Sequence, residues 1–314
     1  MSFNPCRHIF GPVPSRRLGL SLGVDLIPHK VCSFDCIYCE CGRTTRCTIH
    51  REDFFPGDEV LRELFRALDE VDALDYITFS GSGEPTLCRG LETLVDAIKS
   101  EFPSRRIALL TNSSLLHIPE VRASLKKIDV VLPSLDAATN DAFQSINRPH
   151  PGLGVDMIID GLARLRRELR NQIWLEILFV RGMNDSPAEL RALRRAVSKI
   201  NPDRVQLNTI DRPPASRNAL PVSPDEMEVI RDALDLPGTE IIAAFSGHRP
   251  SVQILDEIPD TILEALKRRP LTLEDLRSIT GKSAAELNKF LRVLEEKNAI
   301  RRETRERGVF YRVV

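Results

Sequence analysis

Short β-rich runs alternate along this chain with segments of helical periodicity, and that alternation restricts its fold more than any other feature. Strands are expected near Leu22–Leu26, Tyr76–Ser80, Ile107–Thr111, Val130–Ser134, Trp174–Val180 and Val205–Ile210. Between them, Asp58–Glu70, Leu91–Glu101, Val155–Leu169 and Pro187–Ile200 carry apolar residues at three- and four-residue spacing, as amphipathic helices do. Consecutive βα units predict an α/β fold with a parallel sheet whose two faces are both covered. With right-handed connections they wrap into a partial (β/α)6 barrel of the TIM type, and a flat doubly wound sheet is the competing architecture. In both, ligands gather where the C-terminal ends of the strands meet the following loops.

The last sixty or so residues break the alternation. Helical patterns over Pro259–Lys267, Leu273–Ile279 and Ala284–Lys297 precede β-like runs at Ala299–Arg302 and Val309–Val313, the outline of a small winged helix-turn-helix. The chain is therefore divided into a barrel domain, residues 1–250, and a winged-helix-like domain, residues 251–314. The whole chain carries 44 Lys and Arg against 45 Asp and Glu, so no global field draws it to nucleic acid or membrane. From Ile258 onward the balance is 13 basic against 9 acidic, a net +4. The proline-rich stretch Asp211–Pro224 is expected to be a loop closing the barrel. No apolar run is long enough to span a bilayer, and the first residues lack the basic and apolar regions of a signal peptide, so the expected compartment is the cytoplasm.

Cysteine usage is the second constraint. Of seven cysteines in 314 residues, Cys32, Cys36, Cys39 and Cys41 fall within ten positions. That crowding suits metal binding better than a disulfide scaffold, whereas Cys6, Cys47 and Cys88 stand apart and receive no role. Cys32, Cys36 and Cys39, spaced by three and then two residues just after the first strand, can wrap one metal centre. Three thiolates leave one iron of a four-iron cluster without a protein ligand, and open metal positions are where substrate chemistry occurs. A zinc site closed by Cys41, His29 or His50 is the alternative on the cysteines alone.

The spacing C-x-x-x-C-x-x-C, with Tyr38 before its last cysteine, resembles the radical SAM superfamily. Gly11-Pro12-Val13-Pro14-Ser15-Arg16-Arg17-Leu18-Gly19 and Ser33-Phe34-Asp35-Cys36-Ile37-Tyr38-Cys39-Glu40 resemble, within it, proteins related to the tRNA wybutosine-synthesizing enzyme. The resemblance covers roughly residues 9–245. It implies a 4Fe–4S cluster on Cys32, Cys36 and Cys39 whose open iron takes S-adenosyl-L-methionine. An electron then breaks a carbon–sulfur bond, giving methionine and a 5′-deoxyadenosyl radical that abstracts hydrogen from substrate. It also implies an external electron donor of flavodoxin or ferredoxin type. Ser80-Gly81-Ser82-Gly83-Glu84-Pro85, after the second strand, resembles the superfamily's GGEP turn with Ser82 in place of a glycine. Gly81, Ser82, Gly83 and Glu84 are thereby expected to bind the cofactor's methionine portion. By the same resemblance Ser134 and Asp136 are candidates for the ribose hydroxyls, Asn112 for cofactor or substrate, and Tyr38 for adenine. Helix capping explains Asn112, Ser134 and Asp136 equally well.

Other polar residues are read from pattern alone. Gln206 and Asn208 alternate with Val205 and Leu207 and so share one strand face, suited to a barrel lumen; Glu176 alternates likewise and is explained as readily by a buried ion pair. Arg16, Arg17, His29 and Lys30 precede the cysteines and could tune a cluster, bind an anionic substrate group or make ion pairs. The leading expectation is an enzyme acting on an undefined substrate, RNA or tRNA included, with a peptide or protein substrate as the variant. An iron–sulfur-sensing regulator that binds DNA through the winged helix is the competing class, and it has no need of the Gly-Glu-Pro turn.

Overall fold

The computed structural model describes residues 8–71, 73–243, 258–282, 284–305 and 308–314. Its strands in chain order are β1 (Ile9–Ser15), β2 (Gly19–Val24), β3 (Val31–Cys32), β4 (Arg46–Cys47), β5 (Tyr76–Phe79), β6 (Ile107–Thr111), β7 (Val130–Pro133), β8 (Gln172–Phe179), β9 (Arg204–Thr209), β10 (Thr239–Ile241), β11 (Leu271–Thr272), β12 (Ile300–Arg305) and β13 (Gly308–Val313). The helices are α1 (Gly57–Asp69), α2 (Leu91–Glu101), α3 (Pro119–Ala123), α4 (Asn140–Ile146), α5 (Val155–Glu168), α6 (Pro187–Ile200), α7 (Pro224–Leu234), α8 (Ile258–Arg268), α9 (Leu273–Thr280) and α10 (Ala284–Glu296).

The expected strands form the centre of a mixed sheet ordered β1-β2-β5-β6-β7-β8-β9-β10. All its neighbours pair in parallel except the edge hairpin β1–β2. Ile77, Phe79, Ile107, Leu109, Val131, Leu175, Ile177 and Phe179 are fully buried, as strands covered on both faces should be. Helices supply the cover through apolar stripes, such as Val60, Leu64 and Leu68 of α1 and Leu190, Leu193, Val197 and Ile200 of α6. A side chain links the two edges of the sheet: Arg16, in the β1–β2 turn, donates from Nη1 to the carbonyl of Ile242, just past β10, at 3.2 Å.

Two edge strands lay outside the expectation. β1 pairs antiparallel through a hairpin, and β10 has only three residues, too short for a periodic signature. Helix α7 does carry a local start signal, since Ser223 forms a capping box with Glu226 and Pro224 occupies the first turn.

The C-terminal elements form a second core of Ile262, Leu266, Leu271, Leu276, Leu287, Leu291, Leu294, Ile300 and Tyr311, apart from the main one. Its three-stranded sheet runs β11-β13-β12, with β12 and β13 as a hairpin, and β11 precedes the helix pair α9 and α10. The expected boundary at 250/251 lies outside the described residues. Arg212 joins this unit to the rest of the chain, its nearly buried guanidinium pairing with Glu40 at 3.0 Å and Asp275 at 2.9 Å.

Candidate functional site

The rim of the sheet is built around the loop that carries the four clustered cysteines. Leaving β2, the chain turns at Asp25, whose carboxylate accepts from the backbone N–H and hydroxyl of Ser82 at 3.0 and 2.9 Å. Burial raises the Asp25 pKa against these hydrogen bonds. The turn after β5 lies directly on the loop: Lys30 N–H donates to the Ser82 carbonyl at 3.1 Å and Glu84 N–H to the Val31 carbonyl at 3.4 Å. A Cβ on Gly83 would sit 2.3 Å from the Val31 carbonyl oxygen, and one on Gly81 would sit 2.1 Å from Asp25 Cγ, which explains both glycines. Glu84 accepts from Thr86 and Thr111 hydroxyls, both at 2.6 Å, and from Asn112 N–H at 2.7 Å, so it ties the turn to the end of β6. On its other side the loop is clamped by the C-terminal end of α4, where Asp35 N–H donates to Asn147 O at 3.1 Å and Ile37 N–H to Ile146 O at 2.9 Å.

Each thiol of the C-x-x-x-C-x-x-C motif meets one N–H donor from outside the motif. Asn112 Nδ2 approaches Cys32 Sγ at 3.4 Å, Asn147 Nδ2 approaches Cys36 Sγ at 3.6 Å, and Lys30 Nζ lies 3.1 Å from Cys39 Sγ. Burial pushes Cys32 up to about 12 and Cys36 well above the usual thiol range. Cys39 falls to about 6, first through a hydrogen bond from the Cys41 thiol and then through the Lys30 ammonium. Three thiols on one loop, each with an N–H donor and with one cation in contact, are the chemistry that an anionic thiolate-held cluster requires, so these residues fit such a group.

The remaining expected residues fall on the same rim, most of them bonded to one another. Tyr38 hydroxyl donates to Asp136 Oδ2, which also accepts from Asn147 Nδ2 at 2.8 Å, while Asp136 Oδ1 accepts from Leu178 N–H at 3.0 Å. Burial raises Asp136 to about 6. Ser134 accepts on its carbonyl from the Ser113 hydroxyl at 2.8 Å. Glu176 pairs with Arg17 and accepts from Asn208 Nδ2 at 2.7 Å, an ion pair that is partly rather than fully buried. The Gln206 side-chain oxygen is buried without a hydrogen-bond partner among the described residues. Of the cations before the cysteines, Lys30 reaches a thiol, whereas Arg16 and Arg17 pair with Asp211 and Glu176.

Sequence reasoning missed Asp25 and Asn147. Asp25 had the signal already applied to Asn112 and Asp136, a polar residue where a strand ends; Asn147 had none, since its partner Cys36 lies 111 residues away. A cleft of about 660 Å³ opens beside the loop, and its lining includes His29, Cys41, Ser82, Arg269, Arg301 and Arg312, so it joins the rim to the C-terminal unit. No described helix is long and apolar enough to cross a membrane.

The radical SAM superfamily profile matches residues 26–193. A relative described as GTPase Obg, from Brachyspira hyodysenteriae, is 35% identical over 95% of this chain, and the chain spans 44% of that relative's length. A UPF0026 protein of Methanocaldococcus jannaschii is 30% identical, with 96% of this chain and 94% of the relative covered. Among solved structures, a radical SAM methyltransferase from Sphaerobacter thermophilus has a similar fold, with a TM-score of 0.55 at 20% identity over 72% of this chain and 67% of that one.

Proposed function

The chain belongs to the radical SAM superfamily and to the UPF0026 family, and from that premise we propose that Cys32, Cys36 and Cys39 hold its 4Fe–4S cluster. The protein is thus a radical SAM enzyme, with S-adenosyl-L-methionine as its second cofactor and an external electron donor as a requirement. When bound, the cluster supplies the electron that breaks a carbon–sulfur bond of S-adenosylmethionine to give methionine and a 5′-deoxyadenosyl radical.

The observation that carries the cysteine assignment is the set of separate N–H donors to the three sulfurs. Lys30 offsets thiolate charge, and Asn112 and Asn147 orient Cys32 and Cys36. Cys41 donates to Cys39 and is left out of the ligand set. The turn Gly81–Glu84 would hold the cofactor's methionine portion, and Ser134 and Asn112 would serve its nucleoside side. Glu84 and Asp136, with their oxygens engaged by the protein, act as buttresses of that site. Tyr38, held by Asp136, supports the adenine side. The sheet is read as a partial (β/α)6 barrel, and flavodoxin or ferredoxin as the electron donor.

The C-terminal unit is read as a winged helix, supported by its order of helix, strand, two helices and hairpin. Its substrate is proposed to be RNA, because Arg269, Arg301 and Arg312 line a cleft that also reaches Ser82 and Cys41. Anaerobically reconstituted, reduced protein should yield 5′-deoxyadenosine and methionine, and Cys36→Ala should lose both cluster and turnover; persistent turnover in that variant overturns the assignment. For the substrate, RNA binding should weaken with salt and its salt slope should fall by about one for Arg301→Ala. An unchanged slope, with a peptide bound instead, replaces RNA by the peptide reading.

A further inference from the structure

Away from the cysteine loop, where β1 and α1 begin, His8, Glu59 and Glu63 bring one imidazole nitrogen and two carboxylate oxygens within 4.8 Å of one another. The His8 side chain is only 1% exposed, yet neither ring nitrogen has a hydrogen-bond partner among the described residues. The Glu59 carboxylate lies 3.8 Å from Nε2, beyond hydrogen-bond reach. Packing holds the ring: Phe55 meets it edge to face, with centroids 4.4 Å apart. Glu63 is tied to the same residue, since its Oε2 accepts the His8 backbone N–H at 2.9 Å. Acidic residues in the first turn of α1 suit the helix dipole and so account for Glu59 by themselves. They leave the bare imidazole unexplained, because buried polar atoms are nearly always satisfied by protein, water or an ion.

We propose that His8, Glu59 and Glu63 form a site for a first-row divalent metal ion, separate from the cysteine loop. One nitrogen and two oxygen donors suit manganese, iron(II) or zinc, whereas the sulfur-rich loop selects differently. Three protein ligands leave coordination positions for water. The site sits on the path to the radical SAM rim. His8 carbonyl accepts from Asp25 N–H at 2.8 Å, Asp25 holds Ser82, and both Asp25 and Phe55 line the large cleft. A bound ion therefore pins the edge strand to α1 and stiffens one wall of that cleft.

The test uses the cluster-loaded holoprotein, dialysed against a chelator and checked for retained cluster iron, with the cluster in its EPR-silent oxidised state. Added Mn2+ is followed by loss of the free-ion EPR signal, and Zn2+ by its displacement of Mn2+. Wild type should bind one Mn2+ per chain, release it to Zn2+ and gain thermal stability with either ion. Glu59→Gln/Glu63→Gln, which alters two partly exposed side chains, should weaken Mn2+ binding at least tenfold and lose the stabilisation while keeping its cluster absorbance. Equal binding by wild type and the double variant, or none by either, overturns the proposal and leaves His8 as a packed or water-bridged core residue. A variant that also lost its cluster is replaced by Glu59→Gln alone, for which the same tenfold weakening is expected and an unchanged affinity is the overturning result.

Discussion

Arg212→Ala probes one contact between the C-terminal unit and the rest of the chain. The guanidinium is 9% exposed and makes three polar contacts: Glu40 at 3.0 Å, Asp275 at 2.9 Å and the Pro270 carbonyl at 2.8 Å. These contacts are unequal. Glu40 is 38% exposed and keeps Arg269 at 3.6 Å, so its loss counts for less than ~1 kcal/mol. The Pro270 carbonyl forfeits one hydrogen bond, about 1 kcal/mol. Asp275 dominates, because at 9% exposure it is a buried carboxylate that would lose its bonded cation. Breaking a buried pair from one side costs roughly 3–5 kcal/mol. For a chain of this size that corresponds to a fall in Tm of roughly 5–8 °C. The assay is thermal and urea unfolding of cluster-loaded protein. Arg212→Ala/Asp275→Ala should be less destabilised than the two single variants summed, by ~1 kcal/mol or more. A single variant within ~1 kcal/mol of wild type would refute the claim that this pair carries the contact.

Three further outcomes are expected. Gly83→Ala drives a Cβ into the Val31 carbonyl, so the turn or the loop must shift; iron retention after desalting should drop, with a stability loss of about 1–3 kcal/mol, and a fully retained cluster would contradict the close approach. Asn147→Ala removes the N–H near Cys36, and the cluster's reduction potential, read by EPR-monitored titration, should become more negative; an unchanged potential argues that this contact is structural only. Asp136 has a folded pKa raised from 3.8 to about 6, so the folded chain holds the proton more tightly than the unfolded one between those values. Its contribution is therefore favourable at low pH and is lost as pH rises through that window, by roughly 3 kcal/mol. The urea stability of wild type relative to Asp136→Asn should decline from pH 4 to pH 7, and a difference that grows would reverse the assignment.

Local chemistry was readable directly from the amino-acid order. The six central strands declare themselves as short apolar, β-branched-rich runs because both their faces are buried, and helices α1, α2, α5 and α6 because burial of one face imposes a period of 3.6 residues. The cysteine spacing and the Gly-x-Gly-Glu turn declare themselves because the thiols crowd one short loop and the turn must admit a carbonyl. Pairing across long sequence distance leaves no such trace. Nothing near Asn147 announces Cys36, nothing near Arg212 announces Asp275, and nothing near His8 announces Glu59 and Glu63. Which donors engage Glu84 and Asp136 and which cation reaches a sulfur were decided by the tertiary structure alone. Those choices depend on a balance between desolvation and contact that exists only once distant segments have been packed together.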